Sequence, residues 1–232
     1  MIQVDRQARR YHLENEWLSA YWHFSFDHYY DPERLHFGPL RVFNDDTIRP
    51  RSGFPMHPHR EMEIVTVVLA GTLEHEDNQG NRGVLEAGEV QVMSAGTGIV
   101  HAERNPSPTV PLHLLQIWIM PERRGGRPRW AQRAFRHDAT SGPVVALASG
   151  QDRPGALPLD RAATIYRLKL GTGQALTHDL QPGRRAYLFA MGGTATVGDL
   201  VLAPGDSARV EDEPGVSLAA EGSADLLLLD LP

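Results

Sequence analysis

Four side chains whose types and spacing can do chemistry stand in two short pairs, His57 with His59 and His101 with Glu103. Side chains alternate faces along a β-strand, so residues two apart project to the same side. Two such pairs set opposite each other offer three imidazole nitrogens and one carboxylate oxygen. That donor set suits Fe(II), Mn, Co, Ni, Cu or Zn and leaves two octahedral positions open, as a site for substrate oxygen and dioxygen requires. A lone His-x-His matches freely by chance and is ordinarily an exposed loop. Its surroundings carry the argument here: Glu61 and Glu63 follow closely, and counting by twos from His57 puts both on the histidine face if no bulge intervenes.

The bulk composition narrows the chemistry further. There is no cysteine in the 232 residues, which removes disulfides, thiolate metal sites and thiol nucleophiles together. A net charge of −6 with both signs interspersed provides no basic stripe, so nucleic acid is excluded as a default partner and a small molecule is expected. Residues 1–10 lack the apolar core of a signal peptide, and the apolar run 64–70 is too short to span a bilayer. A cytoplasmic protein without membrane contact is expected.

The elements that must position these residues read as β throughout. The 22 glycines and 17 prolines punctuate the chain every ten or so residues, which implies an all-β sandwich or barrel. Strands are expected over 61–70, ended by Gly71, over 90–93 and over 111–120, stopped by Pro121. Residues 94–100, with Gly96 and Gly98, form the loop that delivers the chain to His101. In the aromatic segment 11–47, Asp31-Pro32 and Asn44-Asp45-Asp46 are read as turns and the rings as core filler. His75 and His113 lie on expected strands without a paired histidine and are read as structural. The polar Gly/Pro-rich stretch 121–129 is the linker candidate, giving domains of 1–135 and 136–232. The second half repeats the layout of the first: offsets of 121 and 117 place His178 on His57, Gly192 on Gly71, Leu218 on His101 and Ala220 on Glu103. A scaffold kept without its ligands is the expectation for that half.

The patterns Gly53-x3-His57-x-His59-x3-Glu63-x7-Gly71 and Gly88-x5-Ser94-x-Gly96-x4-His101-x3-Asn105 resemble the two motifs of the cupin superfamily. They depart from it in a shorter gap after the first glycine, in Ser94 where a proline is usual, and in a longer final loop. The resemblance narrows to the pirin family through Trp22-His23-Phe24-Ser25-Phe26, Tyr29-Tyr30-Asp31-Pro32, Leu40-Arg41-Val42, His57-Pro58-His59-Arg60 and the run 96–103. It implies an all-β bicupin, two tandem jelly-roll-like β-barrels of which only the N-terminal one keeps its metal. Spacing leaves Glu63 and Glu103 as rival carboxylates; the resemblance implies His57, His59, His101 and Glu103 as ligands and moves Glu63 behind them, where it can orient an imidazole.

The family resemblance also implies an activity. Bacterial proteins of this type resemble quercetin 2,3-dioxygenases, which open a flavonol ring with O2 and release CO, with Fe(II) preferred and Cu, Mn, Co, Ni or Zn possible. Glu103 then serves as the catalytic base for the acidic 3-hydroxyl. Phe24, Phe26, Met56 and Val92 are expected, from parity and position, to line the pocket. Eukaryotic pirins resemble metal-dependent regulators that bind other proteins, which is the alternative reading. A sugar-binding or isomerase cupin fits the His-x-Glu pair less well. A bicupin already contains the interface single cupins make by dimerising, so a monomer is expected.

Overall fold

The computed structural model describes residues 1–135 and 142–232. Apart from one turn of 3-10 helix at Gln7–Arg9, its regular elements are strands, and no described helix is long and apolar enough to cross a membrane. The chain forms two compact units: Tyr11–Phe135 with Leu157–Arg161, and Met1–Arg10 with Arg136–Ala156 and Ala162–Pro232.

The first unit is built from two antiparallel sheets. The larger has the order Arg129–Ala134, Glu89–Ser94, Glu63–Ala70, Leu112–Ile119, Leu40–Ile48, Leu18–Trp22, Tyr11–Glu14. The smaller has the order Gly53–His59, Ile99–Arg104, Thr72–Asp77, Arg82–Glu86. Inward side chains of both meet in one core, where Leu73 and Leu85 of the small sheet pack with Leu18, Ile48, Val68, Leu112 and Leu114 of the large one. Each such burial contributes about 1.5–3 kcal/mol relative to exposure.

Three expectations change at this level. The strand expected from Glu61 starts at Glu63, because Glu61 has a left-handed φ of +52° and turns the corner between sheets. His57 and His59 therefore lie on the small sheet and Glu63 on the large one. Asn44-Asp45-Asp46, expected as a turn, runs inside the nine-residue strand Leu40–Ile48, held on both sides by strand pairing. Residues 121–129 are not a linker: Glu122 N donates to Asp160 O at 2.7 Å, Thr97 N to Gly126 O at 2.9 Å, and Arg129 already opens a strand paired with Ser94.

In the second unit Ile2–Asp5, Ser207–Val210, Arg185–Val197, Gly215–Leu231, Thr164–Leu170 and Val144–Ser149 pair in that order, over a core rich in Leu168, Leu188, Leu218, Leu226 and Leu228. The offset expected for His178 shifts. His57 pairs across from His101, whereas His178 pairs across from Val216 and Leu218 faces Leu176. If Leu218 stands for His101, then Leu176 stands for His57 and His178 falls at the His59 place. The counterpart of Gly71 is likewise Gly193 rather than Gly192, since both have positive φ and approach a neighbouring backbone closely.

Candidate metal centre

The strands Gly53–His59 and Ile99–Arg104 are antiparallel neighbours, pairing His57 with His101 and His59 with Ile99. Between His101 and Glu103 the register shifts, and Glu103 faces Phe54. This bulge spans three steps on one strand against two on the other, so Phe54 joins the His57 side while Met56 is left 48% exposed. The ring centroids of His57, His59 and His101 are 4.4–4.9 Å apart. Each ring offers a nitrogen within 4.8 Å of the other two. His57 Nδ1 donates to the Pro55 carbonyl at 2.8 Å, which leaves its Nε2 lone pair free to ligate.

His101 supplies the test of fit. It is 1% exposed, and neither ring nitrogen has a hydrogen-bond partner among the described residues. A buried unpaired donor or acceptor costs about 1–3 kcal/mol, and a cation shared by the three imidazoles would remove that cost for the ligating one of the two nitrogens. Burial pushes the His101 imidazole down to about 2, with the neighbouring His57, His59 and His75 adding to the effect. Burial, then His57, lowers His59 to about 4. Both rings are therefore neutral near pH 7, as ligation requires.

Glu103 is held differently. Its carboxylate accepts from Gln91 Nε2 at 2.6 Å, Thr66 Oγ1 at 3.3 Å and Gln116 Nε2. Burial raises it to about 7 in spite of those donors. It belongs to a second group of potential ligands with His75 and His101, so the two groups share His101. His75, read from the sequence as structural, pairs across from Glu103, stacks on Trp130 at 5.0 Å and shares a hydrogen bond with Asp77 at 3.3 Å. The signal that could have found it is His75-x-Asp77, itself a same-face pair. His113 and Asp45 share a 2.6 Å hydrogen bond, in keeping with its structural reading.

Glu63 is placed elsewhere. It accepts from Ser94 Oγ at 2.7 Å and Asp160 N at 3.0 Å, and Arg129 lies 3.8 Å away. Its partners are those groups and not an imidazole. Glu61 accepts from Gly125 N at 3.1 Å.

The three histidines and Glu103 border a cavity of about 450 Å³, within the range typical of small-molecule sites. Of the four expected lining residues, Phe26 borders it; Phe24 and Val92 are buried elsewhere and Met56 points outward. Trp17, Trp22, Phe54 and Trp118 supply the aromatic wall, and Asn44, Asp46 and Gln116 are polar.

Two β-barrels, one presenting a cluster of three histidines at an aromatic cavity, define a bicupin. A family model described as Pirin matches residues 2–119, and one described as Quercetinase C-terminal cupin domain matches residues 146–231. The chain belongs to the pirin family. It is 42% identical over 232 residues to the quercetin 2,3-dioxygenase of Escherichia coli (strain K12), covering 100% of this chain and 99% of that protein. It is 44% identical over 218 residues to a pirin-like protein of Caulobacter vibrioides, covering 94% of each. Among solved structures it resembles YhhW from Escherichia coli, with a TM-score of 0.95, 42% identity and coverage of 100% of this chain and 98% of that one. The crystal structure of bacterial pirin YhhW in complex with nickel(II) is also similar, with a TM-score of 0.95, 40% identity and coverage of 100% and 99%.

Proposed function

We propose that this protein is a metal-dependent dioxygenase that opens flavonols such as quercetin with O2 and releases CO. The observation that carries the reading is the convergence of His57, His59 and the otherwise unpartnered His101 on the wall of an aromatic cavity. The similar protein named quercetin 2,3-dioxygenase supports the substrate class, and the similar nickel complex supports a divalent first-row metal. His57, His59, His101 and Glu103 would hold it, with Fe(II) preferred on family grounds. Such an ion supplies Lewis acidity and a common site for substrate and O2.

The chain's own residues supply the rest. Trp118, Phe54, Trp22 and Phe26 offer flat apolar walls that fix the orientation of a planar ring system and exclude water from it. Glu103, raised to about 7, is suited to accept the proton of the 3-hydroxyl at its carboxylate oxygen near neutral pH. Gln91, Gln116 and Thr66 keep that carboxylate in place during the transfer.

The test is flavonol turnover with quantified CO. One CO per flavonol is expected from the wild type, with a loss of at least about a hundredfold in His59→Ala and Glu103→Ala while circular dichroism is unchanged. Undiminished turnover in those variants would remove the proposed site. Flavonol binding without CO in the metal-loaded wild type would remove the reaction.

A further inference from the structure

Beyond the register shift at its start, the inner face of the strand Leu40–Ile48 reads Val42, Asn44, Asp46, Ile48, so two polar side chains stand between apolar ones. The strand is flanked on both sides, with Asn44 across from Gln116 and Trp22 and Asp46 across from Leu114 and Ala20. Asn44 is 3% and Asp46 2% exposed, yet Oδ1 of each has no hydrogen-bond partner among the described residues. Asp45, on the outer face between them, is by contrast paired with His113. Buried oxygens left unpaired destabilise a fold that leucine or valine would stabilise. Both residues line the cavity that the histidines border, and they do so from the large sheet while His57, His59 and His101 lie on the small one.

We infer that Asn44 and Asp46 are specificity-determining residues that bind a substrate hydroxyl other than the one presented to the histidines. This rests on the flavonol reading and deepens it: the preferred substrates are polyhydroxylated aromatics rather than the minimal chelating ring system. The hydroxyl donates its one proton to an orphaned oxygen of this pair, so the ligand is held from the large sheet as well as from the sheet that carries the histidines. Asn44 offers its amide oxygen and Asp46 a carboxyl oxygen, both buried and aimed at the cavity they line.

The experiment measures binding to the nickel(II)-loaded protein without oxygen, by quenching of tryptophan fluorescence, using quercetin and 3-hydroxyflavone. The second probe keeps the chelating 3-hydroxy-4-keto unit and lacks every other hydroxyl. The wild type is expected to prefer quercetin by at least about tenfold, since a site built around a hydroxyl rejects the analogue lacking it. In Asn44→Leu and Asp46→Leu that preference falls toward unity while affinity for 3-hydroxyflavone is kept, and Asp46→Asn retains most of it. The leucine variants are expected to melt no lower than the wild type, which separates ligand recognition from a structural role. Equal wild-type affinity for the two probes, or a preference that survives both leucine variants, overturns this assignment alone. Binding of neither probe overturns the flavonol reading itself.

Discussion

At the residue scale, the centre places groups of opposite titration behaviour side by side. His59, lowered from 6.5 to about 4, contributes stability that is present above pH 6.5 and lost as pH falls toward 4. Glu103, raised from 4.5 to about 7, works in the other direction: its contribution is fully present below pH 4.5 and lost as pH rises through 7. Ligation requires neutral imidazoles and an ionised carboxylate, so above pH 6 the group still to lose its proton is Glu103. Nickel(II) affinity measured by isothermal titration should therefore rise between pH 6 and pH 8 with release of a proton, and Glu103→Gln should flatten that rise. Unchanged pH dependence in the variant would remove Glu103 from the ligand set. The three donors around it make a second prediction. Gln116→Leu deletes one of them, which costs about 1–3 kcal/mol and moves the midpoint of nickel binding to higher pH, because the charged form loses support.

At the scale of elements, what could be read from the sequence was whatever sits at fixed short spacing. The two same-face pairs, the punctuating glycines and the all-β rhythm are local, so the three histidines that cluster could be singled out by spacing, whereas the preference for Glu103 over Glu63 came from the family resemblance. What could not be read depends on pairing between strands. The bulge opposite His101 brings Phe54 to the cavity, the corner at Glu61 sends Glu63 to the other sheet, and His75 meets Glu103 only across the ladder. Asn44-Asp45-Asp46 has turn composition, but flanking strands on both sides override that preference. Gly53 shows how a motif glycine serves such pairing. A Cβ there would lie 2.6 Å from the Arg104 Cα and closer still to the Glu103 carbonyl oxygen, backbone atoms that cannot swing aside. Gly53→Ala is expected to lower stability by more than about 1 kcal/mol and also to weaken nickel binding, because the displaced strand carries His101 and Glu103. Denaturant unfolding with and without metal tests both effects; a variant as stable as wild type would show the contact to be slack.

At the scale of the whole molecule, one barrel architecture occurs twice with different interiors. Where the first unit gathers three imidazoles, His101 among them with no hydrogen-bond partner among the described residues, the second satisfies its own. His178 shares a 3.0 Å hydrogen bond with Asp230, which also accepts from Arg184, and the position facing Leu176 is Leu218. Its N-terminal edge is closed in the same way: Ile2–Asp5 pairs with Ser207–Val210, and the Arg6 guanidinium donates to Asp206 at 2.6 Å. Those contacts are complete without a ligand, so metal binding should stabilise the protein through the first unit alone. At a free metal concentration a hundred times Kd the gain is about 2.7 kcal/mol, or roughly 5–10 °C for a chain of this size. Thermal melts with added nickel(II) should show that shift in the wild type and in His178→Ala, at one ion per chain by elemental analysis. His101→Ala should lose both the shift and the ion. His178→Ala should melt lower than the wild type with or without metal, because it leaves Asp230 buried with one partner fewer. A second ion per chain that disappears in His178→Ala would show that the second barrel had kept a site.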